Sequence, residues 1–181
     1  MTSQDAPDQL LISRYLEGNE DAFEVLYERY HKAIYAYLHK LLPGQSALID
    51  DTFQKTWLKV IRYLPRYQDQ NNFLSWTIKI SRNLAYDHFR KDKGDVEFSE
   101  ENDARSKEFI PGSNLVHNEM GEAIAEAVEA LPLEQREVFQ LRQEGISFKE
   151  IAAIQQTSLN TTLGRMHYAV NRLRGILKDW L

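Results

Sequence analysis

The 181-residue sequence predicts an all-α fold of two small helical domains joined by a flexible linker. Apolar residues recur at steps of three and four through both halves of the chain, as they do along one face of a helix. No stretch shows the apolar–polar alternation of a strand. Residues 92–116 separate the halves. They are polar and acidic and include Pro111-Gly112, so they can bury too little apolar surface to offset the entropy of ordering.

The first predicted domain covers residues 8–91 and contains four helices. The first ends at Gly18-Asn19, and the second ends at Pro43-Gly44. A third begins near Ala47 and ends before Pro65, and a polar loop then precedes the fourth. The apolar positions are Leu10, Leu11, Tyr15 and Leu16, then Phe23, Leu26, Tyr27, Tyr30, Ile34, Tyr37, Leu38 and Leu41, then Phe53, Trp57, Val60 and Ile61, and finally Phe73, Trp76, Ile80, Leu84 and Phe89.

The second predicted domain covers residues 117–178 and contains four shorter helices. One ends before Pro132, and the next is closed by Gly145. Ser147 and Glu150 have the spacing of a capping box at the start of the third. A break at Gln156-Thr157 precedes a last helix capped by Ser158. Its predicted apolar stripe consists of Leu159, Leu163, Met166, Val170, Leu173 and Leu177.

Composition restricts the classes of protein to which the chain can belong. Hydrophobic residues make up 43% and charged residues 27%, which is typical of a globular protein. The absence of cysteine excludes disulfides, zinc–thiolate sites, iron–sulfur clusters and a cysteine nucleophile. The chain has neither an apolar run of about 18 residues nor the pattern of a signal peptide. We therefore expect a cytoplasmic protein that does not insert into a membrane.

Charge is distributed unevenly along the chain. The net charge is −5, which by itself does not indicate a nucleic-acid-binding protein. Residues 73–93 nevertheless carry five basic and two acidic side chains, and residues 158–181 carry four and one. Residues 92–111 between them carry seven acidic and three basic side chains. Local positive patches matter more for phosphate contact than net charge does, so this pattern indicates two DNA-contacting modules.

Residues 147–174 have the form of a helix-turn-helix, with a short capped helix, a break and a longer helix. Ala152 is the small residue expected to let the two helices approach each other. Short polar groups near the start of the last helix could touch base edges, while arginines could contact phosphates or guanines. The candidate groups are Asn160, Thr161, Gly164, Arg165, Tyr168, Arg172 and Arg174. The alternative is a plain helical hairpin with a solvated basic face.

Two further segments carry candidate functional groups. Residues 73–91 combine aromatic rings with polar and positive side chains, which suits an unpaired DNA strand. Trp76 and Phe89 are themselves better explained as core residues. The adjacent carboxylates of Asp50 and Asp51 would indicate metal or acid–base chemistry only with converging partners, and no such cluster is evident. A protein-binding surface and a merely solvated helix start both remain open there, and no cofactor or metal is expected.

These motifs together resemble the sigma-70 family of RNA polymerase sigma factors, in its extracytoplasmic-function (ECF) type. Gly18 to Phe23 with Leu26-Tyr27 resembles the start of region 2, and Asp50 to Val60 resembles its polymerase-clamp helix. Trp76 to Lys91 resembles the helix that opens the −10 element. Leu131 to Phe139, followed by Gly145 to Ala152, resembles region 4, which reads the −35 element. The strings occur in the family's order, around an acidic linker.

The resemblance implies a non-enzymatic subunit that binds core RNA polymerase at the β′ clamp and β flap and directs it to promoter DNA. It also implies an anti-sigma factor or other regulator. The core-binding positions would be Asp50, Asp51, Gln54 and Trp57. The −10 positions would be Lys79, Arg82, Asn83, Asp87, His88, Arg90 and Lys91, with residues 63–72 helping to hold a flipped base. The −35 positions would be Lys149, Ser158, Asn160, Thr161, Thr162, Arg165, Tyr168 and Arg172.

Several positions depart from the family pattern. Lys55 stands where an acidic residue is usual. Leu163-Gly164 replaces a lysine–serine pair, and Tyr168 replaces a frequent arginine. The alternatives to a sigma factor are a sigma-like decoy that binds an anti-sigma protein, a stand-alone helix-turn-helix regulator, and a hydrolase that uses Asp50 and Asp51.

Overall fold

A computed structural model describes residues 6–68, 72–93 and 119–178. Within these ranges the chain forms α-helices, labelled α1 to α8 in chain order, and one short 3-10 helix. No strand occurs in the described residues. The all-α prediction is therefore confirmed. Contacts divide the chain into two units, which meet in sequence at residues 96 and 97. Most of the predicted linker lies outside the described residues, and α4 continues to Lys93, two residues beyond the predicted boundary.

Unit 1 contains α1 to α4. The helices are α1 (Asp8–Leu16), α2 (Glu20–Leu41), α3 (Ser46–Tyr63), a 3-10 turn (Leu64–Arg66) and α4 (Phe73–Lys93). Gly18, with a φ of 101°, supplies the left-handed residue between α1 and α2, and Asn19 caps α2 by accepting a hydrogen bond from the Ala22 amide. The predicted breaks thus lie where the helices end.

The apolar core of unit 1 draws side chains from all four of its α-helices. Leu11 from α1, Leu26, Ile34 and Leu38 from α2, Ile49 and Val60 from α3, and Phe73 and Ile78 from α4 are all at most 1% exposed. The stripes predicted at steps of three and four supply most of these side chains. Burial of such side chains is the dominant favourable term in folding, so these stripes determine which helix faces meet.

A buried polar ladder joins α3 to α4 within this core. Thr56 Oγ1 donates to Thr52 O at 2.7 Å and to Ser81 Oγ at 3.2 Å. Ser81 Oγ donates to Thr77 O, and Thr77 Oγ1 donates to Phe73 O. Every buried hydroxyl in the ladder therefore has a partner, as interior polar groups require. The ladder fixes the rotation of α4, the helix that carries the predicted −10 residues.

A second polar cluster fastens α1 to α2. The Asp8 carboxylate accepts hydrogen bonds from the Arg29 guanidinium and the Tyr30 hydroxyl, and Arg29 also donates to the Ala6 carbonyl at 2.9 Å. The Tyr30 ring lies 5.2 Å from Phe73 of α4. Burial, together with the hydrogen bond to Asp8 and the charge of that carboxylate, raises the pKa of Tyr30 to about 12.

Unit 2 contains α5 (Glu119–Glu129), α6 (Leu133–Gln143), α7 (Phe148–Gln155) and α8 (Leu159–Ile176). Its core includes Ala127 and Leu131 packed against Ala169 and Leu173 of α8, with Val128, Phe139 and Leu177 at the margin. Gly145 turns the chain after α6 with a φ of 82°. Among the helices described in both units, none is long and apolar enough to cross a membrane.

The apolar stripe predicted for α8 is wrong at its N-terminal end. Leu159 and Leu163 are 46% and 42% exposed, whereas Thr162 is fully buried. Thr162 Oγ1 donates to the Ser158 carbonyl at 3.1 Å, so the hydroxyl is satisfied inside the helix and its methyl group can face the core. The buried face of α8 therefore runs through Thr162, Ala169 and Leu173, rotated from the predicted stripe.

Candidate functional site

The first candidate surface is the exposed face of α3. Asp50, Asp51 and Gln54 are all exposed there, as expected for a protein-binding helix. Asp50 Oδ1 accepts a hydrogen bond of 2.8 Å from the Tyr35 hydroxyl of α2, and this bond raises the pKa of Tyr35. Asp51 Oδ2 lies 2.6 Å from Lys55 Nζ, one helical turn away. The unusual lysine at position 55 therefore partly neutralises the acidic face.

Trp57 lies beneath this surface. It is 6% exposed and packs against Phe23, Tyr27 and Phe53, with ring centroids 4.8 to 6.4 Å away. Edge-to-face and tilted aromatic pairs of this kind hold their neighbours in fixed orientations. Its indole Nε1 is buried and has no hydrogen-bond partner among the described residues. Trp57 thus supports the α3 surface from below.

The structure adds two apolar residues to this surface that the sequence analysis did not assign to it. Leu58 is 67% exposed and Ile61 is 38% exposed, and they follow Gln54 by four and seven residues on α3. Residues at this spacing share a helix face. Ile61 had been counted with the apolar positions of the helix. The missed signal was the spacing of Leu58 from Gln54, which places an apolar side chain on the polar face.

Asp50 and Asp51 do not form a hydrolytic or metal-binding site in the described residues. Their carboxylates are engaged with Tyr35 and Lys55 respectively, so they do not converge on a common point. Throughout residues 6–68, 72–93 and 119–178, no three His, Cys, Asp or Glu side chains come together as metal ligands.

The second candidate surface is α4 with the segment before it. Asp87 and Arg90 are exposed and form an ion pair of 3.7 Å, while Lys79, Asn83 and His88 are half-buried. The side chain of Lys91 lies outside the described residues. Arg82 does not face solvent. It is 7% exposed, and its guanidinium carbon lies 4.0 Å from the centroid of the Tyr86 ring, so it contributes packing rather than an open contact.

The segment before α4 is anchored by aromatic packing. Tyr67 lies 4.5 Å from Trp76 and 5.7 Å from Phe73, between ring centroids, and its hydroxyl donates to Asn72 Oδ1 at 3.0 Å. Trp76 is half-buried in this cluster, in agreement with its interpretation as a packing residue. Tyr63 is 39% exposed. Residues 69–71, the middle of the predicted base-holding loop, lie outside the described residues.

The third candidate surface is the helix-turn-helix formed by α7 and α8. Both halves of the predicted capping box are present, since Ser147 Oγ accepts from the Glu150 amide and Glu150 Oε2 accepts from the Ser147 amide. Gln156 adopts a left-handed φ of 55° and turns the chain, and Ser158 Oγ then caps α8 by accepting from the Thr161 amide at 3.0 Å. The helix boundaries predicted from these residues are confirmed.

The predicted −35 residues have three different environments. Lys149, Ser158, Asn160, Thr161, Tyr168 and Arg172 are exposed, with Tyr168 at 64%. Arg165 is half-buried, and its Nη1 donates to Gln155 Oε1 at 2.9 Å. Thr162, also predicted to contact the −35 element, is fully buried, and its hydroxyl is bonded to the Ser158 carbonyl rather than exposed. Leu159 and Leu163 occupy exposed positions beside these groups.

Comparison with known protein families gives two matches, one in each unit. The sequence model of Sigma-70 region 2 matches residues 26–94, and that of Sigma-70, region 4 matches residues 121–173. The two matches together cover well over half of the chain. The chain belongs to the sigma-70 family. The α3 and α4 surfaces lie within its region 2, and the helix-turn-helix lies within its region 4.

Relatives of this sigma-70 family member are designated ECF RNA polymerase sigma factors. The ECF RNA polymerase sigma factor BldN of Streptomyces coelicolor is 29% identical over 173 residues, which are 93% of this chain and 65% of BldN. The ECF RNA polymerase sigma-E factors of Salmonella typhimurium and Escherichia coli are 28% identical over 178 residues, 92% of each chain. The chain thus spans less than two thirds of BldN but nearly the whole of sigma-E.

Solved structures show the same fold. The sigma factor RpoE of Bartonella quintana, in complex with the anti-sigma factor NepR, superposes with a TM-score of 0.69 at 23% identity, over 86% of this chain and 96% of RpoE. CnrH, in complex with the cytosolic domain of CnrY, superposes with a TM-score of 0.65 at 21% identity, over 96% of this chain and 99% of CnrH. Sigma factors are initiation factors rather than enzymes.

Proposed function

We propose that this protein binds core RNA polymerase and directs promoter-specific initiation in the cytoplasm through contacts with the −10 and −35 elements. The observation that carries the proposal is the presence, in one chain, of an exposed α3 face and of a doubly capped helix-turn-helix with exposed polar groups. Residues 8–91 are proposed to bind the core polymerase and to recognise and melt the −10 element. Residues 117–178 are proposed to recognise the −35 element, and residues 92–116 are proposed to connect the two domains as a flexible linker.

The polymerase contact is proposed for the α3 face. Asp50, Asp51 and Gln54 supply exposed polar groups, and Leu58 adds an apolar side chain that is 67% exposed. An exposed apolar side chain surrounded by polar groups has the composition of a protein-binding surface. Trp57 acts indirectly by supporting α3. The β′ clamp is the proposed partner for this face, and the β flap for region 4.

The promoter contacts are proposed for α4 and for the start of α8. On α4 the candidates are Lys79, Asn83, Asp87, His88, Arg90 and Lys91, with Arg82 supporting Tyr86. On α7 and α8 they are Lys149, Ser158, Asn160, Thr161, Arg165, Tyr168 and Arg172, without Thr162. Each of these surfaces carries few basic side chains and therefore neutralises few phosphates, so each contact alone is weak. Tethering both to the polymerase raises their effective concentration.

An anti-sigma factor or another regulator is the further partner proposed. Both RpoE and CnrH were solved with proteins bound to them, NepR described as an anti-sigma factor and the cytosolic domain of CnrY.

The experiment is a pull-down of core RNA polymerase followed by run-off transcription on genomic fragments of the host. Wild type is compared with Asp51→Ala/Gln54→Ala, and with Asp21→Ala/Gln9→Ala, which makes the same changes at exposed positions of α1 and α2. We expect wild type and the control to retain core polymerase and give discrete transcripts, and the α3 variant to lose both.

Two results would contradict the proposal. Retention of polymerase without any transcript would contradict the role in promoter-specific initiation. Absence of polymerase binding by wild type at low salt would favour the sigma-like decoy that binds an anti-sigma protein, or a stand-alone helix-turn-helix regulator.

A further inference from the structure

A chain of hydrogen bonds crosses unit 2 from α6 to α8. Glu137 Oε2 on α6 accepts a bond of 2.7 Å from Gln155 Nε2 at the end of α7. Gln155 Oε1 accepts a bond of 2.9 Å from Arg165 Nη1 on α8. Glu137 and Gln155 are 2% and 6% exposed, whereas Arg165 is half-buried. The series of hydrogen bonds therefore begins in the interior of unit 2 and ends at a cation on α8, the helix proposed to read the −35 element.

The side-chain amide of Gln155 can adopt only one orientation in this chain. Its Nε2 has two hydrogens, and they are used by the Glu137 carboxylate and by the Glu134 carbonyl at 3.1 Å. Oε1 is the remaining polar atom, and it faces the guanidinium. A flipped amide would set its NH2 group against the donors of Arg165 and its oxygen against a carboxylate. Both bonds to charged partners are of the stronger, charge-assisted kind, which holds this orientation.

The hydrogen bond from Arg165 to Gln155 restricts the Arg165 side chain before any DNA is bound. An arginine side chain has several rotamers, and ordering one on binding reduces affinity by about two- to tenfold. Arg165 is already held by one of its five N–H groups, so its guanidinium keeps other donors for an acceptor outside the protein. Arg172, further along α8, is by contrast exposed.

We propose that Gln155 is a positioning residue for −35 recognition: by accepting from Arg165 and donating to Glu137, it holds the Arg165 guanidinium ready to donate to an acceptor on the promoter. The inference rests on the proposed function, since it assumes that the start of α8 meets DNA. The acceptor is an oxygen or nitrogen lone pair, presented by a phosphate or by the major-groove edge of guanine. Gln155 itself need not touch DNA, because it is buried.

The first measurement tests the series of hydrogen bonds from Glu137 to Arg165 in the absence of DNA. Nitrogen-15 relaxation of the arginine side chains is recorded in the full-length protein for wild type, Gln155→Met, and Gln143→Met as an exposed control on α6. Methionine keeps the shape of glutamine and removes its hydrogen bonds. We expect the Arg165 signal to show restricted motion in wild type and in the control, and increased motion in Gln155→Met. Equal motion in all three proteins would overturn the proposal.

The second measurement tests the consequence for DNA. Holoenzyme assembled from core polymerase and the full chain is titrated against a promoter fragment recovered by the run-off experiment, and against the same fragment with its −35 element replaced. Gln155→Met, Arg165→Met and the double variant form a double-mutant cycle. We expect Gln155→Met to weaken −35-dependent binding by about two- to tenfold in the wild-type background and to have no further effect beside Arg165→Met.

A purely structural role for Gln155 would give a different pattern. Gln155→Met would then weaken binding by the same factor whether or not Arg165 is present, and this result would overturn the proposal. Should Gln155→Met fail to fold, Glu137→Gln replaces it. That change keeps the shape of the side chain at 137 and removes the charge that holds the amide of Gln155 in its orientation. We then expect −35-dependent binding to weaken in the wild-type background and to be unchanged beside Arg165→Met, and an equal loss in both backgrounds would overturn the proposal.

The same variants also distinguish failure of this inference from failure of the proposed function. If Arg165→Met weakens binding and Gln155→Met does not, only the inference fails. If Arg165→Met leaves −35-dependent binding unchanged, or no promoter is recovered, the proposed role of α8 fails and the inference fails with it. The salt dependence distinguishes the acceptor: loss of a phosphate contact lowers the slope of log affinity against log salt by about one, whereas loss of a guanine contact relaxes sequence preference.

Discussion

Thr56 on α3 and Ser81 on α4 are both fully buried, and a hydrogen bond of 3.2 Å joins their hydroxyl oxygens. This bond is a polar cross-link between the helix proposed to meet the polymerase and the helix proposed to open the −10 element. Its two members also bond to their own helix backbones, at Thr52 O and Thr77 O. The orientation of α4 against α3 thus depends on residues that no partner can reach.

Thr56→Val should lower the free energy of unfolding of unit 1 by about 1 kcal/mol, because valine keeps the shape of threonine and removes the hydroxyl. Ser81→Ala should have an effect of similar size. The double variant should lose less than the sum, since one lost bond is counted in both single changes. Urea unfolding followed by tryptophan fluorescence measures these differences, with Ser13→Ala as an exposed control on α1. Strict additivity would show that the bond contributes nothing.

Tyr30 should make the stability of unit 1 sensitive to alkaline pH. Its pKa is raised from 10.0 to about 12, so folding favours the neutral phenol. The resulting stabilisation is fully present below pH 10 and is lost as the pH rises through about 12. Tyr30→Phe removes this contribution. The difference in unfolding free energy between wild type and Tyr30→Phe should therefore shrink on going from neutral pH to about pH 11.

The exposed Tyr63 provides the control position for the Tyr30→Phe experiment. Tyr63→Phe removes an exposed phenol and so controls for the loss of a tyrosine hydroxyl as such. A Tyr30→Phe difference that stayed constant with pH would contradict the raised pKa that burial and the Asp8 contact give to Tyr30.

Asn160 and Thr162 should behave oppositely in promoter binding although both were predicted to contact the −35 element. Asn160 is exposed at the start of α8, and Asn160→Ala should weaken −35-dependent binding by up to about 1–3 kcal/mol if its amide pairs with a base. Thr162→Val keeps the buried shape and should leave promoter binding unchanged. Holoenzyme titration on the promoter and its −35-replaced form provides the measurement. Loss of binding in Thr162→Val, with stability intact, would restore the original assignment.

Gln156 should tolerate glycine better than alanine. Its φ of 55° lies in the left-handed region, where residues other than glycine are strained, and it connects α7 to α8. The free energy of unfolding of Gln156→Gly should exceed that of Gln156→Ala by about 1 kcal/mol. Both variants lose the polar part of the glutamine side chain, but only glycine relieves the strain. Thermal unfolding of the two variants tests this. Equal stability would show that the turn is not strained.

Local chemistry made much of the fold predictable. The capping box at Ser147 and Glu150, the cap at Ser158 and the breaks at Gly18 and Gly145 all lie at helix ends in the structure. These signals depend on residues within one helical turn of each other, so they can be recognised along the chain. The family resemblance was equally accessible, because its motifs are continuous strings.

The candidate site was predictable only in part. The exposure of Asp50, Asp51 and Gln54 agrees with the predicted partner surface, whereas the exposed Leu58 was not assigned to it. Arg82 was predicted to face or support promoter DNA, and its guanidinium stacks on the Tyr86 ring. A charged side chain on a basic segment does not reveal whether a neighbouring ring will cover it, since that depends on how the helices around it pack.

The sequence by itself determined that the chain forms helices, where most of them begin and end, and to which family it belongs, because capping, turns and motifs are local. The tertiary structure alone decided which flank of each helix is buried. In the first turns of α8 the fully buried residue is Thr162, while Leu159 and Leu163 remain exposed, although hydrophobicity favours the reverse. The physical reason is that a threonine hydroxyl bonded to the backbone no longer opposes burial, and only the packing of neighbouring helices determines where its small side chain fits.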